Sequence, residues 1–426
     1  MEPLFEPSRI NGLTLKNRFV RSATWEGMAA EDGSVTAPLI DLYRALADGG
    51  VGLIITGHSY VHPSGKHSPR QLGSYSDDLI LGLEQLTRAV HDRDGRIVLQ
   101  LNYGGAYLSR SRVAQMNPED IRAVGAAFAR AAWRAQQAGF DGVQILAAHG
   151  FFLSQLLCSR YNPRTDEYGG AIENRARALV EVVAAVRGQI KPEYPLLVKI
   201  NSRDLIEDGL RLEESLQVGR RLEAAGVDAL EISGGLLNVP NLLRDKSTGG
   251  EDLPFFRNEA RAFKQQLQIP VILVGGIRSF PTARRLLSEG TADFIALCRP
   301  FIREPDLVNR WLRGDRQKAA CLSCNNCVEQ LKQGSDLGCR PLEPQEKETF
   351  FPQKTEFLPT GPPFPSNISY QVSFGLEEWD GNFLPVIKIQ MVRDGKILNA
   401  GVSFPAGTDD FEKISRIVKG LTGGRG

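Results

Sequence analysis

The chain has 426 residues, enough for one large core and a small second domain. Apolar residues make up 42% and charged residues 24%, with a net charge of +1. That balance excludes a strongly basic nucleic-acid binder and a protein held electrostatically on anionic membrane.

The chain starts MEPLFEPSRI, with no basic segment leading into an apolar run, so no signal peptide is expected. No stretch of about 18 uncharged apolar residues follows, so no membrane span is expected and a cytoplasmic protein is the default. Candidate strands then recur at Arg18–Ser22, Val51–Thr56, Ile97–Leu101, Gly142–Ile145, Leu196–Ile200, Ala229–Ile232, Val271–Val274 and Phe294–Leu297. Several are almost wholly apolar, as parallel strands covered on both faces must be. Between them lie amphipathic segments at Asp120–Ala138, Asn174–Ile190, Leu212–Ala225 and Pro281–Ser288. Eight strand–helix units over roughly 320 residues predict an α/β fold, a (β/α)8 TIM barrel occupying residues 1–340. A doubly wound open sheet fits less well, because no G-x-G-x-x-G follows the first strand.

After the barrel, seven prolines between Pro341 and Pro365 predict a Pro-rich linker over 341–365. Residues 366–426 predict a small C-terminal α+β module. There, VIKIQMV and KILNAGVSF flank Asp394-Gly395, a strong hairpin signal. Thr408 is placed to cap a last helix carrying Phe411, Ile414, Ile417, Val418 and Leu421 on one stripe. With no catalytic constellation of its own, this module is read as a docking or dimerisation unit, compatible with a homo-oligomer.

Three groups of residues carry chemistry. Gly275 and Gly276 follow the seventh barrel strand, and Cys298 and Arg299 end the eighth. Loops in those two places often bind phosphate, because glycine lets backbone N–H groups approach and a guanidinium can grip two oxygens. Gln100 and Lys199 are polar residues in otherwise apolar strands. A lysine there needs a negative partner, and a carboxamide offers both a donor and an acceptor to a pyrimidine-like edge. Finally, Cys321, Cys324, Cys327 and Cys339 fall in nineteen residues, spaced C-x2-C-x2-C-x11-C. Four thiolates can bind Zn²⁺ tetrahedrally or hold a [4Fe–4S] cube, and the compact triplet favours the cube over the paired spacing of structural zinc. Four ordinary thiols are the third reading. Cys158 and Cys298 lie outside the set and read as packing residues.

Taken together, NGLTLKNRFVRSATWEGMA, GLIITGH, VLQLNYGG, AAHGFFLSQLLCSRYNPRTDEYGGAIENR, VKINSRD, VGGIRS and ALCRPFIREP resemble the Old Yellow Enzyme-type NADH:flavin oxidoreductases. The resemblance implies an FMN-binding barrel in which Ser22, Ala23, Thr24 and Trp25 line one side of the flavin and Gly57 and His58 lie near it. It implies that Gln100 binds the ring edge, that Lys199 faces the end that is negative when reduced, and that Gly275, Gly276, Cys298 and Arg299 hold the phosphate. The implied reaction passes hydride from NAD(P)H to the flavin and on to a small organic substrate. The cysteine set resembles that of the iron–sulfur members, such as dienoyl-CoA reductase and trimethylamine dehydrogenase. Those relatives continue into nucleotide-binding domains, whereas this tail has no dinucleotide fingerprint. A cluster here is therefore expected either to need an electron-transfer protein partner or to be a remnant.

The chain also departs from that family's pattern. The usual pair of substrate-polarising donors, and the tyrosine after them, read Leu146, His149 and Phe151 here. His149 survives as a catalytic candidate; leucine and phenylalanine donate no hydrogen bond. Losing one donor to a developing oxyanion costs on the order of 3 kcal/mol. Simple enone reduction is therefore weakened, and replacement donors are sought in His58, Tyr60, Tyr103 and Arg203. Trp25 stands where relatives often carry a small hydroxyl or thiol, so its indole is expected to fill pocket volume. Two functions follow: an ene-reductase-like FMN oxidoreductase, or a flavin/iron–sulfur subunit of a larger electron-transfer complex.

Overall fold

The computed structural model describes residues 2–104, 110–236, 253–340, 350–359, 367–379, 382–394, 396–397, 402–405 and 412. Chain contacts divide it into two units, Met1–Pro341 and Leu342–Gly426.

The first unit opens on an antiparallel hairpin, β1 (Ser8–Ile10) and β2 (Leu13–Leu15). Asn11 turns it with φ +48°, the left-handed conformation that a two-residue Asn-Gly loop requires. Then come β3 (Phe19–Arg21), β4 (Leu53–Ile55), the short β5 (Ser59–Tyr60), β6 (Ile97–Asn102), β7 (Gly142–Ala147) and β8 (Leu196–Asn201). The last are β9 (Ala229–Ser233), β10 (Val271–Val274) and β11 (Phe294–Leu297). All but the first two strands and β5 form a closed parallel barrel, in which β4 pairs with β6 and β11 returns to β3. β5 runs alongside the C-terminal end of β6. The expected eight strands are thus the eight that close the barrel.

Helices cover the outside. Pro118–Gln137 starts where Asn117 and Asp120 cap each other's backbone N–H. The segment expected to be one helix over Asn174–Ile190 is instead a single turn, Ile172–Arg175, followed by Arg177–Arg187. No described helix is long and apolar enough to cross a membrane.

Side chains alternate across each strand, so every second residue enters the barrel. The lower interior is apolar: Val20, Leu53, Val98, Leu197, Ile272 and Phe294 pack together, with Ile10 and Leu15 of the hairpin in the same cluster. One step further along, the inward residues turn polar on five of the strands, at Ser22, Gln100, Gln144, Lys199 and Glu231, while Ile55, Val274 and Ala296 stay apolar. That change of chemistry positions the site.

In the second unit the described residues form a five-stranded sheet of β12 (Phe350–Pro359), β13 (Ile368–Trp379), β14 (Asn382–Arg393), β15 (Lys396–Ile397) and β16 (Val402–Pro405). Arg393 pairs with Lys396 around Asp394, whose φ is +49°, so a hairpin stands where Asp394-Gly395 predicts one. β12 falls inside the stretch expected to be linker. It is an edge strand, and its pairing shifts at Pro352, the placement that tolerates a residue without an N–H. The helix expected after Thr408 lies outside the described residues, apart from Glu412.

Candidate active site at the barrel mouth

Five side chains from five strand ends meet inside the upper barrel. Lys199 Nζ lies 2.9 Å from Glu231 Oε1 and 2.8 Å from Ser22 Oγ. Ser22 donates to the same Glu231 oxygen at 2.5 Å, and Gln144 donates to Oε2 at 2.8 Å. Gln100 in turn donates to Gln144 Oε1 at 2.6 Å. Strand register explains the pairs, because Lys199 sits opposite Glu231 and Gln100 opposite Gln144. All five are buried. The negative partner that Lys199 requires is therefore Glu231, which was legible as a lone acid in the apolar strand ALEIS. Above this layer, the amide of Asn102 is buried with both polar atoms unpartnered, and the indole N–H of Trp25 is likewise buried without an acceptor.

The loop carrying Ser22, Ala23, Thr24 and Trp25 is pinned by a second buried ion pair. Arg21 meets Glu26 at 3.0 Å and donates to the Ile55 carbonyl at 2.6 Å. Tyr43 donates to the same carboxylate, and Gly57 N–H reaches it at 2.8 Å. Burial, with Glu26 beside it, pushes the Tyr43 phenol well above its ordinary range. Gly57 is required here, since a Cβ would lie 2.1 Å from Glu26 Oε2 and 2.6 Å from the Thr24 carbonyl. Glu26 thus locks the Ser22–Trp25 loop to the loop after β4.

His149 follows β7 with φ +65°. Its Nε2 lies 2.7 Å from Ser233 Oγ, and its backbone N–H donates to Asn201. Leu146 and Phe151 form a small buried apolar cluster with Ala148. Phe151 packs against the rings of both His58 and His67, each with centroids 5.2 Å away. Of the four replacement donors sought, Tyr60 gives its hydroxyl proton to the Asp32 carbonyl, and Arg203 pairs with Glu259. Tyr103 OH shares a hydrogen bond with Ser64. His58 shares one with Ser68 at 3.4 Å.

Burial, with His67 nearby, pushes the His58 imidazole from 6.5 down to about 3. A neutral imidazole carries one N–H donor without a charge. Because the unfolded chain binds this proton more tightly, the stability tied to neutral His58 is complete above about pH 6.5 and is lost as pH falls toward 3. We expect the wild type to lose more stability in urea between pH 7 and pH 5 than His58→Phe does. Equal losses would show that burial does not hold His58 neutral.

At the other side of the mouth, Gly275 and Gly276 have φ of +114° and +77°, a backbone that side-chain-bearing residues rarely adopt. Gly276 is also closely covered, since a Cβ there would lie 1.6 Å from the Leu253 carbonyl. The Cys298 thiol and the Thr24 hydroxyl lie 3.0 Å apart. Arg299 donates one N–H to Asn325 Oδ1 at 2.6 Å.

That last contact leads to the cysteines. Cys321, Cys324, Cys327 and Cys339 line one cavity of about 190 Å³, together with Arg299 and Arg303. Arg303 approaches the Cys339 sulfur at 3.9 Å, and Ser323 Oγ is buried without a partner. Burial raises the Cys321 thiol, and burial with Cys298 and Cys321 nearby pushes Cys327 up to about 11. Among the described residues, no three Cys, His, Asp or Glu side chains gather closely enough for a single ion. Tetrahedral zinc would draw four thiolates to about 4 Å of one another, given a Zn–S distance of roughly 2.3 Å. The segment is tied back to the barrel by Arg70–Asp336 at 2.6 Å and by Leu337 N–H donating to the Glu26 carbonyl. Cys158 is buried away from this cavity.

Comparison with known proteins agrees with this architecture. The family model described as NADH:flavin oxidoreductase / NADH oxidase matches residues 3–117 and 108–318. An NADH oxidase from Thermoanaerobacter brockii is 32% identical over 348 residues, covering 76% of this chain and 53% of the relative. The chain thus spans about half the length of that relative. A solved 2-naphthoyl-CoA reductase superposes with a TM-score of 0.75 at 26% identity, covering 79% of this chain and 56% of that one. An Old Yellow Enzyme homologue from Zymomonas mobilis superposes with a TM-score of 0.62 at 26% identity, covering 75% of this chain and 95% of that one. With its closed barrel and this match over most of its length, the chain belongs to the NADH:flavin oxidoreductase / NADH oxidase family, whose Old Yellow Enzyme branch its motifs resemble.

Proposed function

We propose that the barrel mouth binds FMN and that the protein is an NAD(P)H-dependent oxidoreductase acting on a small organic substrate. One observation carries the reading: an apolar barrel interior is capped by a buried polar layer containing Lys199, Gln100 and Ser22, with unpartnered polar groups of Asn102 and Trp25 above it. Buried polar atoms without partners are rare, and a ring with donors and acceptors along one edge would satisfy them. Bound FMN supplies two-electron hydride chemistry at its ring.

The chain's own residues would do the rest. Lys199 presents an ammonium to the ring end that gains negative charge on reduction, and Gln100 offers the ring edge its amide. The Ser22–Trp25 loop, locked by Glu26, walls one side. Gly275, Gly276, Cys298 and Arg299 would hold the phosphate; Arg299 keeps further donors after serving Asn325. His149 and neutral His58 would be the hydrogen-bond donors to substrate, while Leu146 and Phe151 supply none.

In the same reading the four cysteines hold a [4Fe–4S] cube. A cavity of about 190 Å³ rimmed by four thiols suits a body larger than one ion, and the orphaned Ser323 hydroxyl adds a donor toward it. Arginines beside the cavity offset the negative charge of such a centre. The cluster would exchange single electrons with a separate protein partner.

Anaerobic titration of the purified protein with NADH, then NADPH, tests the activity. We expect either nucleotide to bleach the flavin absorbance rapidly. Slow or absent bleaching would favour the second reading, a flavin/iron–sulfur subunit of a larger complex, which Leu146 and Phe151 at the donor positions support. A protein isolated without flavin absorption would sink both.

A further inference from the structure

One charge inside the barrel has no part in the reading above. Glu231 is completely buried, and both its oxygens are engaged: one by Lys199 and Ser22, the other by Gln144. A carboxylate costs several kcal/mol to desolvate, so it is kept only where partners and geometry compensate. Two consequences follow from its position.

The first concerns charge. With Glu231 Oε1 2.9 Å from Lys199 Nζ, the pair presents a dipole to anything above it rather than a full positive charge. The second concerns direction. An ionised carboxylate only accepts hydrogen bonds, so Gln144 must spend an N–H on Glu231 and turn its carbonyl oxygen to Gln100. Gln100 must then spend an N–H on Gln144, which leaves its own Oε1 for another donor. One acid thereby sets the polarity of two amides across β6 and β7.

We propose that Glu231 is a positioning residue for the flavin ring: it shares the charge of Lys199 and orients Gln144 and Gln100, and so holds the reduction potential below the value a bare ammonium would set. This rests on the FMN reading above. Reduction by two electrons and one proton leaves the ring with one negative charge, which an unshared Lys199 would favour and the Lys199–Glu231 pair favours less. Lone Glu231 would oppose it.

The test is an anaerobic midpoint determination on the FMN-loaded full chain, comparing wild type, Glu231→Gln, Lys199→Met and the double variant. Glu231→Gln should raise the two-electron reduction constant at least tenfold, about 30 mV positive. Lys199→Met should lower the constant, and the double variant should lie between the two single variants. An unchanged midpoint in Glu231→Gln, beside a fall in Lys199→Met, overturns the role of Glu231 and leaves the FMN reading standing. An unchanged midpoint in Lys199→Met as well would bring down the ring pocket itself. Should Glu231→Gln not fold, the double variant decides, because it leaves no charge unpaired. A midpoint above that of Lys199→Met supports the proposal, and one equal to it overturns it.

Discussion

Lys199→Met should destabilise the protein by about 3–5 kcal/mol, the loss expected when one partner of a buried ion pair is removed and the other stays charged. The expectation rests on place as much as on charge. Lys199 and Glu231 are both buried, so removing the ammonium leaves Glu231 without its cation in the interior. Ser22 and Gln144 would still donate to it, but two neutral hydrogen bonds do not replace a cation. Urea or guanidinium unfolding at neutral pH measures the loss. The Lys199→Met/Glu231→Gln double variant should recover much of it, since a neutral pair of similar volume avoids the uncompensated charge. A Lys199→Met midpoint within error of wild type would mean that the pair does not hold the barrel interior together.

Cys327→Ser should reduce iron from roughly four atoms per chain to near zero and abolish the broad visible absorption of an iron–sulfur centre. A serine hydroxyl is a poor substitute for thiolate, and Cys327 lies among the other three around the cavity. Iron and acid-labile sulfide analysis of anaerobically purified protein is the measurement, with zinc determined on the same sample. Flavin should still bind, at most more weakly, because the polar layer around Lys199 lies outside the cysteine cavity and Arg299 alone of the proposed phosphate residues lines it. Wild-type protein carrying one zinc and no iron would end the cluster reading, and so would protein free of both.

The barrel was legible because its signal is local. Short apolar β-branched runs at regular spacing, separated by amphipathic helices, can bury both strand faces only in a parallel closed or doubly wound sheet. The Asp394-Gly395 turn was legible for the same reason: two residues suffice to set that backbone. Over 350–359 a strand stands where a linker is expected, because composition competes with topology there. Proline density in 341–365 argues for an extended connector, yet an edge strand tolerates proline at a bulge, as β12 does at Pro352.

Lys199 and Gln100 stood out in the sequence because each is polar in an apolar strand, and the cysteines stood out by spacing. Which partner each residue takes was not legible. Glu231 was visible as a lone acid in ALEIS, but only barrel register sets it against Lys199. Gln144 was equally visible, and only closure of the ring of strands brings it to Glu231 from two strands away. The roles of Glu26 and Arg21, which lock two loops together, have the same origin. Sequence alone determined the element types and the kinds of chemical group available, because these depend on neighbours a few residues apart. Tertiary structure alone decided which charges cancel and which amides face which way, because those follow from contacts across the barrel between residues far apart in the chain, as Ser22 and Glu231 are at 209 positions.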